Sequence, residues 1–413
     1  MQAPKDHFDL AISGASFAGL ALGLAAARTF GGQLSIVLID RVTPAVAKAQ
    51  AGVRAFAISA ASKNMLAALG LWDQIKNLAQ PVTGIDITDS SLDAGVRPLL
   101  LSYDNRIDEG QPATFVIPAS AISGALQDAV ARETSIRILA PAEIISYRAG
   151  ATTAALGLST GESFTVSLAV AAEGRRSSLR DMAGIKSVSW AYDQTGIVTI
   201  VEHERPHDGR AVQHFLPAGP FAILPLPGNR SCITWSEETK EATRIMALGD
   251  AGFLDEADRR FGGRLGTIAL AGPRQSWPLG LQLARSYTAA RLCVIGDAAH
   301  SVHPIAGQGV NLGLKDAAAL VEVMADAARL GLDVGGGDVL ERYEQWRRFD
   351  STMSALTYDG LNRLFSSDLA LLRAARDAGL ALVDRMPSLK EAFVKEASGL
   401  SGELPRLLKG ERV

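Results

Sequence analysis

Three clusters of residues in this chain have types and spacing suited to chemistry. The first is Gly14-Ala-Ser16-Phe-Ala-Gly19, followed by Asp40, with Arg41 beside it, at the end of the next apolar run. Glycines at a strand-to-helix turn let the backbone approach a pyrophosphate, which then rests against unpaired helical N–H groups. An acid about twenty residues further on accepts hydrogen bonds from a ribose. Ser16 stands where the middle glycine of such a turn usually lies, so this fingerprint is imperfect.

The second cluster begins at Gly296-Asp297 and runs through His300, His303, Pro304, Gly307, Gly309, Val310 and Asn311. An aspartate here could simply cap a loop. The spacing of Pro304, Gly307 and Gly309 also lets backbone pass close to a flat ligand. A helix starting near Gly309 would direct N–H donors and a positive dipole end at negative charge on that ligand. The third cluster is Glu173-Gly-Arg175-Arg176-Ser-Ser-Leu-Arg180, after an apolar strand. Its arginines either steer the phosphate of a nicotinamide nucleotide or form a solvated basic turn.

Other chemistries find little support. Cys232 and Cys293 are far apart, which gives neither a disulfide framework nor a zinc site and suits a reducing cytoplasm. His203 and His207 are separated by Pro206, where the chain reads as a strand running into a turn. No side chain stands out as a general acid or base. The net charge of -3 argues against nucleic acid as a partner, and 47% hydrophobic with 21% charged residues describes an ordinary globular protein. Residues 10–27 carry no charge, but Asp9 precedes them and Gly14, Gly19 and Gly23 interrupt them, so a strand, turn and buried helix fit better than a signal peptide or membrane span.

The elements that must position these clusters alternate at first. Strand 8–13, helix 17–29, strand 34–40 and helix 60–69 predict a parallel sheet with crossover helices. Strands at 84–90 and 113–118 and a helix over 119–131 follow. From 136 to 172 the pattern is of short strands separated by turns. Strands at 196–202, 212–216, 221–226 and 231–235 predict an antiparallel second domain, with helices near 240–248 and 254–261. A buried strand at 292–295 and a long helix from about 310 to 330 complete the site, and everything after Leu340 reads as helix.

The run 296–317, GDAAHSVHPIAGQGVNLGLKDA, resembles the second FAD fingerprint of the flavin hydroxylases related to para-hydroxybenzoate hydroxylase, and more narrowly the ubiquinone-biosynthesis branch. The likeness extends to GASFAG, to RAFAIS at 54–59, to SWPL at 276–279 and to LNRLFS at 361–366. It implies an FAD-binding, Rossmann-like three-layer α/β domain (1–75, 100–182 and 280–345). An antiparallel-sheet substrate domain (76–99 and 183–279) is inserted, and C-terminal helices (346–413) follow.

The resemblance also assigns residues to FAD: Gly14, Ser16, Gly19, Asp40, Arg41, Arg54, Glu173, Gly296, Asp297, Pro304, Gly307, Gly309, Val310 and Asn311. Asp297 would bind the ribityl chain, Pro304 would lie on the flavin face where substrate reacts, and Arg54 would sit beside the isoalloxazine and pyrophosphate. Relatives carry aspartate where this chain has Glu173, and Gln, Asn or Arg where it has Ala119 and Ser120. With Ser16, these departures imply weaker cofactor retention. The implied reaction hydroxylates an aromatic ring with NAD(P)H and O2 through a flavin C4a-hydroperoxide. Its substrate would be a polyprenyl phenol, so a peripheral membrane contact or a multi-enzyme complex is compatible with a cytoplasmic protein. The alternatives are a flavin reductase or halogenase on the same fold, or a lipid-holding scaffold without turnover. Leu361, Leu364, Phe365, Leu369, Leu371, Leu372 and Leu380 are candidates for a membrane contact, although core packing accounts for them better.

Overall fold

The computed structural model describes residues 7–49, 52–92, 97–107, 110–304, 307–365 and 386–413. Its first sheet is built on five parallel strands in the order Leu292–Val294, Ser163–Ala171, His7–Ser13, Ile36–Ile39 and Ile136–Leu139. All four residues of Ile36–Ile39 are buried. That is why they are apolar without alternation, as expected of a strand covered on both faces. Antiparallel strands Ala154–Leu158 and Ile144–Ala149 extend the sheet beyond Ser163–Ala171.

The first helix, Phe17–Thr29, is apolar all round because every residue from Gly19 to Ala27 is buried. It packs against the helices Ala119–Val130 and Gly309–Arg329. Small residues permit the closest approach. A Cβ added at Gly313 would lie 3.3 Å from Ala18 Cβ and 3.5 Å from Gly296 Cα. The turn of the second cluster is thereby pressed against the helix that follows the first.

The second sheet has nine strands. Its order runs from His300–Ser301 through Gln275–Ala284, Ser187–His203, Arg230–Glu238, Gly219–Leu226 and Arg210–Leu216 to Gly84–Asp89 and Leu99–Asp104, with Ile268–Leu270 pairing Ser187–His203. Leu99–Asp104 pairs Gly84–Asp89 along its length, so a boundary at residue 100 would cut a strand. Gln275–Ala284 is a ten-residue strand where the sequence reading found only a motif, because the proline of Ser276-Trp-Pro-Leu279 obscures its apolar alternation. A small third sheet joins Ala55–Ser59, Thr114–Pro118 and Gln80–Pro81.

Toward the C-terminus a 29-residue helix spans Gly337–Phe365, and shorter helices cover Pro387–Ala397 and Arg406–Lys409. Leu369, Leu371, Leu372 and Leu380 lie outside the described residues. Phe365 stacks on Phe215 with ring centroids 3.6 Å apart, which makes it a core residue, whereas Leu361 is exposed.

Candidate functional site

The Gly14–Gly19 turn is fixed from three sides. Gly14 has φ +107°, and a Cβ there would lie 2.4 Å from the Ala172 carbonyl oxygen. A Cβ on Gly19 would lie 1.9 Å from the Gly14 carbonyl oxygen. Asp40 ties the turn to the neighbouring strand, accepting from Ala15 N–H at 2.6 Å and Val42 N–H at 2.9 Å, one on each carboxylate oxygen. Each oxygen keeps acceptor capacity for a ribose hydroxyl. Ser16 is the exposed N-cap of the first helix, in extended conformation (φ -98°), and its hydroxyl does not cap the helix. The first N–H groups of the helix have no partner within it. Arg41 is an exposed residue 3.4 Å from Glu143.

Glu173 is engaged inside the chain. It accepts from Ser13 Oγ at 2.7 Å, Ser178 Oγ at 3.1 Å and Leu179 N–H at 3.0 Å, and also from Ser177. The carboxylate therefore caps the helix Ser178–Met182 and fastens it to the end of the first strand. Of the three arginines after it, Arg180 is buried, donating to the carbonyls of Arg175 and Ala298 and to Asp181. Arg176 is exposed and Arg175 half-buried.

Within 291–300 every residue is buried except Asp297, which is open to solvent. Protein surrounds it on its other sides, and that crowding raises its carboxyl above the usual carboxylate range against the pull of His300, Arg54 and Arg175. Arg54 lies between the rings of Phe56 and Trp277, 5.7 and 5.9 Å from their centroids. Burial lowers its guanidinium from the usual value, and the charge of Asp297 opposes that shift. Asp297, Arg54 and Arg175 thus share one electrostatic neighbourhood, although the sequence separates them widely.

Gly296 (φ +59°) and Gly307 (φ +62°) turn the chain on either side of His303-Pro304. The helix Gly309–Arg329 has its first backbone bond at Leu312 N–H to Gln308 O, so the amides of Gly309, Val310 and Asn311 precede the helical ladder. Asn311 accepts from Ser59 N–H at 3.0 Å and donates to Ala57 O at 2.8 Å, joining this helix to the strand that follows Arg54. Val310 packs on the main core.

Sequence reading missed the residues beneath this loop. Asp316 is fully buried and accepts from Gly296 N–H at 2.8 Å, His300 Nε2 at 2.6 Å and Arg347 Nε at 2.8 Å. Its presence in the 296–317 run was visible, but nothing local pointed to Arg347. Among the described residues no group of three or more His, Cys, Asp or Glu could hold a metal. His203 and His207 instead bond to backbone carbonyls and Ser231.

These features fit FAD. The turn at Gly14 admits no Cβ, the Ser16 hydroxyl does not cap its helix, and Asp297 alone is accessible in a buried run. Positions where a Cβ would meet nothing, Gly174 and Gly309, flank the same region.

The fold and site define an FAD-dependent monooxygenase. The chain belongs to the FAD binding domain family, whose profile matches residues 7–352. It is 41% identical over 406 residues to the ubiquinone hydroxylase UbiL of Rhodospirillum rubrum, covering 97% of this chain and 92% of that protein. It is 31% identical to the 3-demethoxyubiquinol 3-hydroxylase of Escherichia coli, covering 95% and 98%. The p-nitrophenol 4-monooxygenase PnpA of Pseudomonas putida shares the fold, with a TM-score of 0.76 over 97% of this chain and 100% of that one, at 14% identity.

Replacing Ser16 by glycine tests the imperfect turn. Ser16 is exposed at the helix start, so loss of its hydroxyl is expected to weaken FAD binding a few-fold, about 1 kcal/mol. Fluorescence titration of both proteins with FAD would reveal equal affinities if the hydroxyl does not touch the phosphates.

Proposed function

We propose that this FAD-dependent aromatic hydroxylase acts on a polyprenylated phenol or quinol of ubiquinone synthesis. The observation that carries the FAD part of this reading is Asp297, alone exposed in a buried run and within the electrostatic reach of Arg54 and Arg175. Support for the substrate class comes from the two hydroxylases named above, which match nearly the whole chain. The chemistry supplied by FAD when bound is two-electron transfer from NAD(P)H to O2, with one oxygen atom going to the ring and the other to water.

The chain's own residues would hold and shield that reaction. Asp297 would accept hydrogen bonds from the ribityl hydroxyls, and Gly14, Ser16 and Gly19 with Asp40 would hold the pyrophosphate and adenosine ribose. The amides of 309–311 would face negative charge on the reduced ring system, and Arg54 would lie beside it. The first sheet with its helices would form the cofactor domain, with the boundary after Asp104 instead of at residue 100, because Leu99–Asp104 belongs to the second sheet. The second sheet would cover the substrate. No helix among the described residues is long and apolar enough to cross a membrane. Phe349, Met353 and Leu356 are exposed on the long helix, which supports a peripheral contact where a prenyl tail resides.

The purified protein, loaded with FAD, should oxidise NAD(P)H faster when a prenylated phenol is added and should yield a hydroxylated ring. Oxidation unaffected by any phenol would count against the substrate class. Asp297→Ala should leave the fold intact and weaken FAD binding by about ten- to a hundredfold, the usual worth of a hydrogen bond to a charged group. Unchanged FAD affinity in that variant would remove Asp297 from the site.

A further inference from the structure

One helix reaches both ends of the loop that carries Asp297 and Pro304. At its N-terminal part, Tyr343 is fully buried and its hydroxyl donates to Val294 O at 2.9 Å, at the end of the strand leading into the loop. One turn later, Arg347, also fully buried, donates to Asp316 at 2.8 Å and to Ser351 Oγ at 3.1 Å. Asp316 in turn holds Gly296 N–H and the His300 imidazole, the two residues that bracket 297–299.

Twelve residues on, about 18 Å along the axis, Asp359 accepts from Tyr192 OH at 2.9 Å and Trp190 Nε1 at 3.1 Å. Both donors sit on one face of the strand Ser187–His203. The Tyr192 ring stands edge-to-face on the His303 ring, with centroids 5.2 Å apart. His303 is buried and immediately precedes Pro304. Burial and the hydrogen bond to Asp359 push the Tyr192 hydroxyl pKa up, which keeps it a donor.

We propose that the helix Gly337–Phe365 clamps the cofactor loop at two points, with Arg347 and Asp316 positioning the Asp297 end and Asp359 and Tyr192 positioning the Pro304 end. The proposal rests on Asp297 and Pro304 facing FAD. The two latches make different predictions, because one sets a hydrogen-bonding group and the other sets a surface against the ring system. Loosening the first costs affinity. Loosening the second lets water reach the ring while the ribityl contacts survive.

The test uses the full chain with FAD, measuring dissociation constants by titration and the visible spectrum of the bound flavin, with melting of the FAD-free protein as a check of folding. Arg347→Met is expected to raise the dissociation constant about tenfold or more, and Arg347→Lys, which keeps a charge beside Asp316, to recover part of that. Tyr192→Phe keeps the ring on His303 and removes only the hydroxyl. It is expected to leave the dissociation constant within about twofold but to soften the resolved shoulders of the visible band. If Arg347→Met binds FAD like wild type while Asp297→Ala does not, the first latch is wrong and the Asp297 reading stands. If neither variant weakens binding, the Asp297 reading falls as well. A wild-type spectrum in Tyr192→Phe overturns the second latch. Should Arg347→Met fail to fold, wild-type affinity in Arg347→Lys together with that spectrum would overturn the clamp, and weakened affinity with a softened band would support it.

Discussion

Gly19→Ala should abolish tight FAD binding and destabilise the protein, while Gly23→Ala, one helical turn on, should do neither. Both glycines are buried in the first helix, so helix propensity alone favours alanine at each by about 0.5–1 kcal/mol. Space decides between them. At Gly19 the new Cβ would lie 1.9 Å from the Gly14 carbonyl oxygen and 3.3 Å from Ile12 Cγ2. Backbone, not a flexible side chain, would have to move, and it is the backbone that would receive the pyrophosphate. Overpacking of this kind typically costs about 1–3 kcal/mol, and displacement of the turn should lower FAD affinity by about a hundredfold or more, roughly 3 kcal/mol. At Gly23 the nearest atoms are Leu38 Cδ1 at 3.4 Å and Ile12 Cδ1 at 3.6 Å, ordinary contact distances. That variant should match or slightly exceed wild type in thermal stability and bind FAD equally. Equal FAD affinity in the two variants would show that the turn is not the cofactor's seat.

Removing Asp316 should have the largest effect on folding. Asp316→Ala strands Arg347 in the core with only Asp350 and Ser351 as side-chain partners, and breaking a buried ion pair from one side typically costs about 3–5 kcal/mol. The effect should depend on pH in a defined direction. Burial alone would raise the Asp316 carboxyl, but His300, Arg347 and the Gly296 N–H outweigh it and hold the carboxyl below its usual value. A carboxylate with a depressed folded-state pKa contributes stability that is fully present above its unfolded value of about 3.9 and is lost as pH falls through the folded value. Urea unfolding of wild type and variant should therefore show a gap that narrows as pH falls below about 4. A gap that stays constant down to the lowest workable pH would mean that Asp316 is not held as a carboxylate by its neighbours.

The cofactor class was legible in the sequence because its signals are local. A glycine turn between an apolar strand and an apolar helix, an acid at the end of the next strand, and the Gly296–Asn311 run each lie within a short stretch of chain. Their chemistry follows from backbone conformations that only those residue types permit. The buried strand Ile36–Ile39 and the helix Phe17–Thr29 were legible for a related reason, since an element covered on all sides must be apolar all round. Tertiary structure decided which polar groups meet. Arg347 and Arg348 are neighbours in a helix rich in charge, and nothing in their sequence distinguishes them. Yet the first has no exposed side-chain surface and the second is about half exposed. Nothing near Glu173 in the sequence announced its partner Ser13, 160 positions away, which the fold brings against it. Tyr192 and Asp359 meet across 167 positions. A short motif fixes backbone shape by local sterics, whereas the partner of a buried charge is set by how sheets and helices stack, and no local pattern records that.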